Sequence, residues 1–294
     1  MSRIKLFIYS LLALPWIFFC HLLYLYTHRE FSPPDFRYSY TFESENIPMS
    51  AALKDEVRGL LNQKFAYLGC GKQMTAFESE DHRFVIKFFN PRAVVREKWF
   101  SDWDKFRRLC SLRWFSDNYL RRKARLAKLS KRYRLGFEQL REESGLVYVH
   151  LGDSSKLFQT LSLTDKQGKA HQIDLDRCPF VLQKKAELAT NYLGHLLDKG
   201  ELEKAKQGIE EICRVLASRA KKGFTDRKQT LHNNYGFVED RFVQIDLGRL
   251  NKDELIEQTP DEEIKRVYSQ LHQFLSKRYP NYHSFLDETF EGKF

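Results

Sequence analysis

A lysine inside an apolar strand is the first residue that points to chemistry. Lys87 stands in the run Val85-Ile-Lys-Phe-Phe89, a β-branched and aromatic pattern typical of a buried strand. A lysine in such surroundings either extends its ammonium group to the surface or directs it at an anion in a cleft. The second alternative predicts an anion site beside this strand.

Two glycines upstream of the lysine could contribute to the same anion site. Gly69 and Gly71 lie on a predicted turn between two strands, where backbone N–H groups can approach a phosphate closely because no Cβ intervenes. An ordinary hairpin turn with two glycines is the alternative. The glycines therefore gain meaning only together with Lys87.

Three polar residues of interest follow in the second half of the chain. Asp226 lies in a loop after a predicted helix, Asn234 follows eight residues later, and Asp246 ends an apolar strand. Asn233 is an alternative to Asn234. Taken singly, they have ordinary explanations as a loop aspartate, a cap and a turn former. Their order along the chain, after Lys87, is the informative feature.

The first half of this order resembles the protein-kinase-like superfamily. The run Leu68-Gly-Cys-Gly71, followed by a hairpin and Val85-Ile-Lys87, resembles the glycine-rich loop and the lysine of the third strand in kinases. The strand Phe180-Val-Leu-Gln-Lys leaves into a polar segment as a kinase hinge does.

The second half resembles the same superfamily. Asp246-Leu-Gly is similar to the Asp-Phe-Gly element, and Asp226 stands where kinases place the aspartate that accepts the substrate hydroxyl proton. The spacing from Asp226 to Asn234 is closer to that of small-molecule and lipopolysaccharide-sugar kinases than to that of Ser/Thr protein kinases.

The resemblance implies a set of roles and two cofactors, ATP and Mg²⁺. It implies catalytic roles for Lys87 and Asp226 and metal ligation by Asn234 and Asp246. It also implies a set of residues that bind the nucleotide, with backbone groups of the hinge facing the adenine: Gly69, Gly71, Lys87, Gln183 and Lys185.

Some kinase features are altered. Met74 takes the place of the third glycine, and His-Arg does not precede Asp226. Glu138 and Glu142 are alternative candidates for the glutamate that pairs with the lysine in kinases. After Leu250 there is no Ala-Pro-Glu element, which disfavours a protein substrate.

Elements that would position these residues can be predicted from the patterns of apolar residues. Helices are predicted around residues 50–62, 201–221 and 262–278, and strands at 157–163, 170–175 and 180–184. The predicted fold class is α+β, a two-lobed protein-kinase-like fold with a five-stranded small lobe, an N-terminal transmembrane helix and a basic helical insert in the small lobe.

The amino terminus predicts the membrane helix. Residues 6–26 carry no formal charge, are mostly apolar and are long enough to cross a bilayer. A cleaved signal peptide is the alternative, but bulky and basic residues follow the apolar run. The sequence thus predicts a single-pass anchor, with the catalytic domain in the cytoplasm.

Basic residues are concentrated in one segment. Residues 92–134 contain fifteen Lys or Arg and four Asp or Glu, which accounts for the whole net charge of +10. The aromatic stripe of this segment is Trp99, Trp103, Phe106, Cys110 and Trp114. It predicts either packing on the core or an interfacial helix on anionic lipid headgroups. Residues 121–134 are expected to be too densely charged for burial.

Composition excludes other classes. With 42% hydrophobic and 14% aromatic residues the chain is expected to fold nearly throughout, and the local charge does not favour a nucleic-acid partner. Five widely spaced cysteines without C-x-x-C spacing indicate neither a disulfide framework nor a zinc site.

The predicted organisation is an anchor at 1–30, a linker at 31–49, an N-lobe at 50–182 with the insert at 91–134, and a short C-lobe at 183–294. The predicted function is ATP- and Mg²⁺-dependent transfer of a phosphoryl group to a hydroxyl of a membrane-proximal lipid, glycolipid or small metabolite. A membrane-anchored pseudokinase and a structural membrane protein without a nucleotide site are the alternatives.

Overall fold

The computed structural model describes residues 13, 15–20, 46–71, 73–90, 113–226 and 230–282, and it describes only the backbone of residues 113–123. Beyond a helical stretch at 15–20, the helices are α1 (Ala51–Leu61), α2 (Arg113–Gln139), α3 (Arg141–Ser144), α4 (Ala189–Asp198), α5 (Leu202–Lys221), α6 (Leu231–Asn234), α7 (Glu254–Gln258) and α8 (Asp261–Arg278). The strands are β1 (Phe65–Cys70), β2 (Met74–Ser79), β3 (Phe84–Phe89), β4 (Leu146–His150), β5 (Thr160–Thr164), β6 (Ala170–Asp174), β7 (Phe180–Lys184), β8 (Glu187–Leu188), β9 (Phe224–Thr225), β10 (Tyr235–Val238), β11 (Arg241–Gln244) and β12 (Asn251–Lys252).

A seven-stranded sheet carries the first half of the chain, in the order β4-β7-β3-β2-β1-β5-β6. Its strands pair antiparallel except β1 with β5, which are parallel over two residue pairs. The interior strand β3 has apolar side chains on both faces, and Lys87 is its half-buried exception. The sheet therefore places this lysine in the middle of the layer, between β2 and β7.

Two hydrophobic clusters hold the described residues together. The first lies on the seven-stranded sheet and includes residues from the later part of the chain, Phe224, Leu247 and Leu250. The second is formed by α4, α5 and α8 with β10 and β11. Because Leu247 and Leu250 belong to the first cluster, the segment after β11 is packed against the sheet. The predicted lobe boundaries stay a prediction.

Helix α2 corrects the expectation that residues 121–134 are too charged for burial. Leu126, Leu129, Tyr133 and Phe137 are buried and recur at spacings of three and four residues, so one face of the helix packs on the first cluster. Basic residues occupy the other face. The aromatic stripe predicted for this segment lies outside the described residues, apart from the backbone of Trp114.

The predicted fold class was wrong in its particulars. The structure is a mixed α/β fold whose main sheet has seven strands, where five were expected. The two additional strands are the hairpin β5–β6, which joins the sheet at the outer edge of β1. The hairpin was predicted from its sequence, but its place beside β1 was not, because pairing between distant segments leaves no local pattern.

The predicted transmembrane anchor and the localisation that rested on it are also corrected. Among the described residues, no helix has the length and apolar character needed to cross a membrane. Of the segment 6–26, the structure describes residues 13 and 15–20 as helix, and the remainder lies outside the described residues. The transmembrane helix is therefore removed from the predicted fold class, and the single-pass anchor from the predicted localisation.

A buried histidine makes the stability of this sheet sensitive to acid. His150 on β4 has no exposed surface and lies among the rings of Tyr148, Phe158 and Phe180. Burial lowers the pKa of His150 to about 4, and the nearby Asp176 offsets only part of this effect. In the unfolded chain, His150 has the ordinary pKa of histidine. It is therefore protonated at a higher pH in the unfolded chain than in the folded protein.

We therefore expect His150 to reduce stability as the pH falls from about 6.5 to about 4, by up to about 3 kcal/mol. Urea unfolding across this pH range, compared between the wild type and His150→Phe, measures the contribution. The matched control is His232→Phe, at an exposed position. An identical pH profile for His150→Phe and the wild type would contradict the assignment.

Candidate functional site

Lys87 directs its ammonium group into the protein and not to the surface. Its Nζ donates hydrogen bonds to Oε1 of Gln183 and to the carbonyl oxygen of Ile245, both at 2.6 Å. Burial lowers the pKa of Lys87 to about 8, and the negative charge of Asp246 opposes this shift. The structure thus brings Lys87 close to Asp246, and the roles predicted for these two residues stay predictions.

Asp246 begins a tight turn directly after β11. Its Oδ1 accepts a hydrogen bond from the backbone N–H of Gly248 at 2.7 Å. The backbone N–H groups of Ile245 and Asp246 donate to the carbonyl oxygen of Asn234, at 2.8 and 3.4 Å. Asn234 and Asp246 are both half-buried, whereas Asn233 is exposed. Asn234, and not its neighbour, is therefore the asparagine joined to the Asp246 turn.

The glycine-containing loop between β1 and β2 reaches this turn. A Cβ on Gly248 would lie 2.6 Å from Oε1 of Gln73, so a side chain at position 248 would require the end of the Gln73 side chain to move. The loop itself is closed by a hydrogen bond of 2.8 Å from the N–H of Gly71 to the carbonyl of Met74. A Cβ on Gly69 would meet no atom of the described residues within 4 Å, so packing among them does not require glycine there.

Asp226 lies deeper than the sequence suggested. Its side chain is fully buried, and Oδ2 accepts a hydrogen bond from Nε2 of Gln244 at 3.3 Å. Gln244 in turn accepts at Oε1 from Arg219, at 2.6 Å. This chain of polar groups places Asp226 beside the strand that leads to Asp246. Its predicted role as acceptor of a hydroxyl proton stays a prediction and requires the carboxylate to become accessible.

A buried ion pair supports this arrangement and was missed by sequence reasoning. Arg219 on α5 and Glu263 on α8 are both fully buried and bonded to each other. Thr225, the residue before Asp226, donates to Oε1 of Glu263 at 2.5 Å. Arg219 follows Leu216 by three residues on the apolar face of its helix. A charged residue on the apolar face of a helix indicates a buried ion pair, and this was the signal in the sequence.

The hinge residues Gln183 and Lys185 make several hydrogen bonds within the protein. Oε1 of the buried Gln183 side chain accepts from Lys87, and its Nε2 donates to the carbonyl of Ser144 at 2.6 Å. The backbone N–H of Lys185 donates to the carbonyl of Arg83 at 2.8 Å, and its Nζ lies 2.5 Å from Glu78. Binding of a nucleotide by these residues stays a prediction.

The two candidate glutamates pair with arginines and not with Lys87. Glu138 lies 3.2 Å from Arg134 on the same helix, and Glu142 lies 3.8 Å from Arg241. The neutral amide of Gln183 takes the position of the expected carboxylate. Lys87 is thus bonded to a neutral amide at this contact, and the negative charge near it is that of Asp246.

The described residues contain no group of three or more His, Cys, Asp or Glu that could hold a metal ion. The predicted metal ligands are one carboxylate, Asp246, and one amide, Asn234. Mg²⁺ is commonly bound by one or two such groups together with phosphate oxygens and water. The half-buried carboxylate beside a lysine fits this mode of binding.

Comparisons with known proteins give matches only among solved structures. No family model and no curated protein matches the chain. A co-crystal structure of WbdD with the kinase inhibitor LY294002 is similar at a TM-score of 0.34 and 14% identity, over 73% of this chain and 38% of that one. The complex of Rv3197 with erythromycin, from Mycobacterium tuberculosis, has a TM-score of 0.34 and 13% identity, over 70% of this chain and 53% of that one.

The chain thus spans between about a third and about half of the length of these two proteins. At a TM-score of 0.34, this likeness carries no argument about the fold or the site.

The contribution of the buried ion pair to the stability of the fold can be measured directly. Glu263→Gln would leave the guanidinium of Arg219 buried without its carboxylate, which we expect to lower the free energy of unfolding by about 3 to 5 kcal/mol. The control is Glu262→Gln, which removes an exposed pair 3.5 Å from Arg266 and should cost less than about 1 kcal/mol. Urea unfolding measures both. Equal, small effects would show that the buried pair does not stabilise the fold.

Proposed function

We propose that this chain is an ATP- and Mg²⁺-dependent phosphotransferase. The proposal rests mainly on one contact: the ammonium group of Lys87 is bonded to the carbonyl of Ile245, the residue directly before Asp246. This places a cation suited to phosphate next to a carboxylate suited to a metal ion.

The proposed roles follow from these positions. Lys87 neutralises charge on the α- and β-phosphates, while Asp246 and Asn234 hold the Mg²⁺ ion. The metal supplies positive charge that stabilises the developing charge of the transferred group. Gly71 belongs to the loop whose Gln73 contacts the Asp246 turn, and Gly69 lies near the end of β1 that leads into this loop, so we propose that their backbone approaches the phosphates.

The proposed acceptor is a hydroxyl group of a small metabolite, a lipid or a glycolipid, oriented by Asp226. The absence of an Ala-Pro-Glu element from the sequence supports a small acceptor over a protein. Within the described part of α2, Arg125, Lys128 and Lys131 are exposed. These three residues belong to the basic segment 92–134. We propose that this segment contacts anionic headgroups or a charged acceptor.

A nucleotide-binding module without turnover is the second candidate. Two observations favour it: the carboxylate of Asp226 is fully buried, and Lys87 is paired with a neutral glutamine. Both candidates require the nucleotide to bind, and only the first requires phosphoryl transfer. Binding is therefore the property to test first.

We expect ATP with Mg²⁺ to raise the melting temperature, and ATP alone to have much less effect, because one lysine cannot balance a triphosphate. Lys87→Met and Asp246→Asn should each abolish the shift. Lys206→Gln is the matched control, since this lysine is exposed on α5, outside the proposed binding surfaces. A thermal-shift assay measures all four proteins. The proposal fails if no nucleotide stabilises the wild type, or if Lys87→Met responds as the wild type does.

A further inference from the structure

One face of α2 is fitted against the turn that contains Asp246. Arg132 donates through Nη1 to the carbonyl of Gly248, and the buried Tyr133 belongs to the same hydrophobic cluster as Leu247. One turn further along, a Cβ on Gly136 would collide with Cδ1 of Leu247. The contact therefore involves three positions on the helix, spaced as one face requires.

Arg132 reaches a second segment at the same time. Its Nη2 donates to Oδ1 of Asn251 at 2.8 Å. Asn251 begins β12 and is paired with Thr225 of β9, the residue directly before Asp226. One guanidinium group thus bonds to the turn after Asp246 and to the strand pair that leads to Asp226.

The charge of Arg132 also acts on both acidic residues. Burial lowers the pKa of this guanidinium, and the carboxylates of Asp226 and Asp246 oppose the shift. The two carboxylates lie in one small region and repel each other unless a cation lies nearby. A planar guanidinium presents its N–H donors in a fixed fork, so two different nitrogens can bond to acceptors on two segments.

We propose that Arg132 is a positioning residue, which holds the segments of Asp226 and Asp246 at a fixed separation before any ligand binds. The basic helix α2 is thereby part of the site, although its cations lie in a segment that the sequence assigns to a surface. The identity of the ligand that the two carboxylates bind rests on the proposed function. The bridging role of Arg132 does not depend on that function.

The bridging role can be tested in the protein without a ligand. We would measure hydrogen exchange by mass spectrometry over residues 245–253, where Gly248 donates its N–H to Asp246 and Leu250 donates to the carbonyl of Leu247 at 3.1 Å. We expect faster exchange in Arg132→Gln and in Asn251→Ala, and unchanged exchange in the control Lys131→Gln. Exchange in Arg132→Gln equal to that of Lys131→Gln would overturn the inference.

A second measurement links the bridge to the proposed metal ligand. Arg132→Gln should raise the Mg²⁺ concentration for half-maximal ATP binding by about tenfold to a hundredfold, as is common for residues that orient a metal ligand. Arg132→Lys should recover only part of the loss, because it keeps the charge and loses one of the two bonds. An unchanged Mg²⁺ requirement in Arg132→Gln would contradict the inference.

The two proposals fail in different ways. If the wild type binds no nucleotide, the proposed function is wrong, and the exchange measurement alone decides the role of Arg132. If circular dichroism shows that Arg132→Gln does not fold, Asn251→Ala decides it, since Asn251 is exposed and its loss removes one bond of the bridge. Unchanged exchange in that variant would overturn the inference.

Discussion

The positive charge of Lys87, drawn away from solvent, is the constraint on which the site depends. An ammonium group in such a position is costly unless it is hydrogen-bonded and lies near an opposite charge. Its two bonds come from different parts of the chain, one from Gln183 on β7 and one from Ile245 after β11. Keeping Lys87 charged therefore requires the sheet and the segment of Asp246 to meet in one arrangement.

Further contacts hold that segment from the other sides. Leu247 and Leu250 are buried in the cluster on the sheet, and Gly248 is covered by Gln73. From the opposite side, Gln244 connects the segment to Arg219 and so to the ion pair with Glu263. The carboxylate of Asp246 is thus held by packing and by hydrogen bonds that do not involve a ligand, which is what a preorganised site requires.

Local patterns predicted the parts of this arrangement that local physics determines. An apolar strand interrupted by Lys87 and another that ends at Asp246 are short-range signals, and the structure brings these two residues together. The partner of Lys87 was not predictable in the same way. Gln183 was predicted to take part in nucleotide binding as a hinge residue, but its bond to Lys87 was not predicted, because that bond depends on the register of β7 beside β3.

Non-local pairing and helix packing explain the other differences. The position of the hairpin β5–β6 in the sheet depends on a short parallel pairing between β1 and β5. No local sequence pattern predicts this pairing. The density of charge in α2 concealed its apolar face, because Leu129 and Tyr133 are separated by basic residues in the sequence and lie together only on the helix. The roles of Arg132 and Arg219 were not predicted, because their bonding partners are distant in the sequence.

The central claim is that Lys87 contacts the phosphates of a bound nucleotide. An acyl-phosphate derivative of ATP transfers its acyl group to a lysine beside the phosphates, and mass spectrometry identifies the modified residue. With a pKa of about 8, part of Lys87 is unprotonated and reactive at pH 8. We predict modification of Lys87 that excess ATP with Mg²⁺ prevents, against slow modification of the exposed Lys131 that ATP does not affect. Failure to modify Lys87, or modification that ATP does not prevent, would contradict the account.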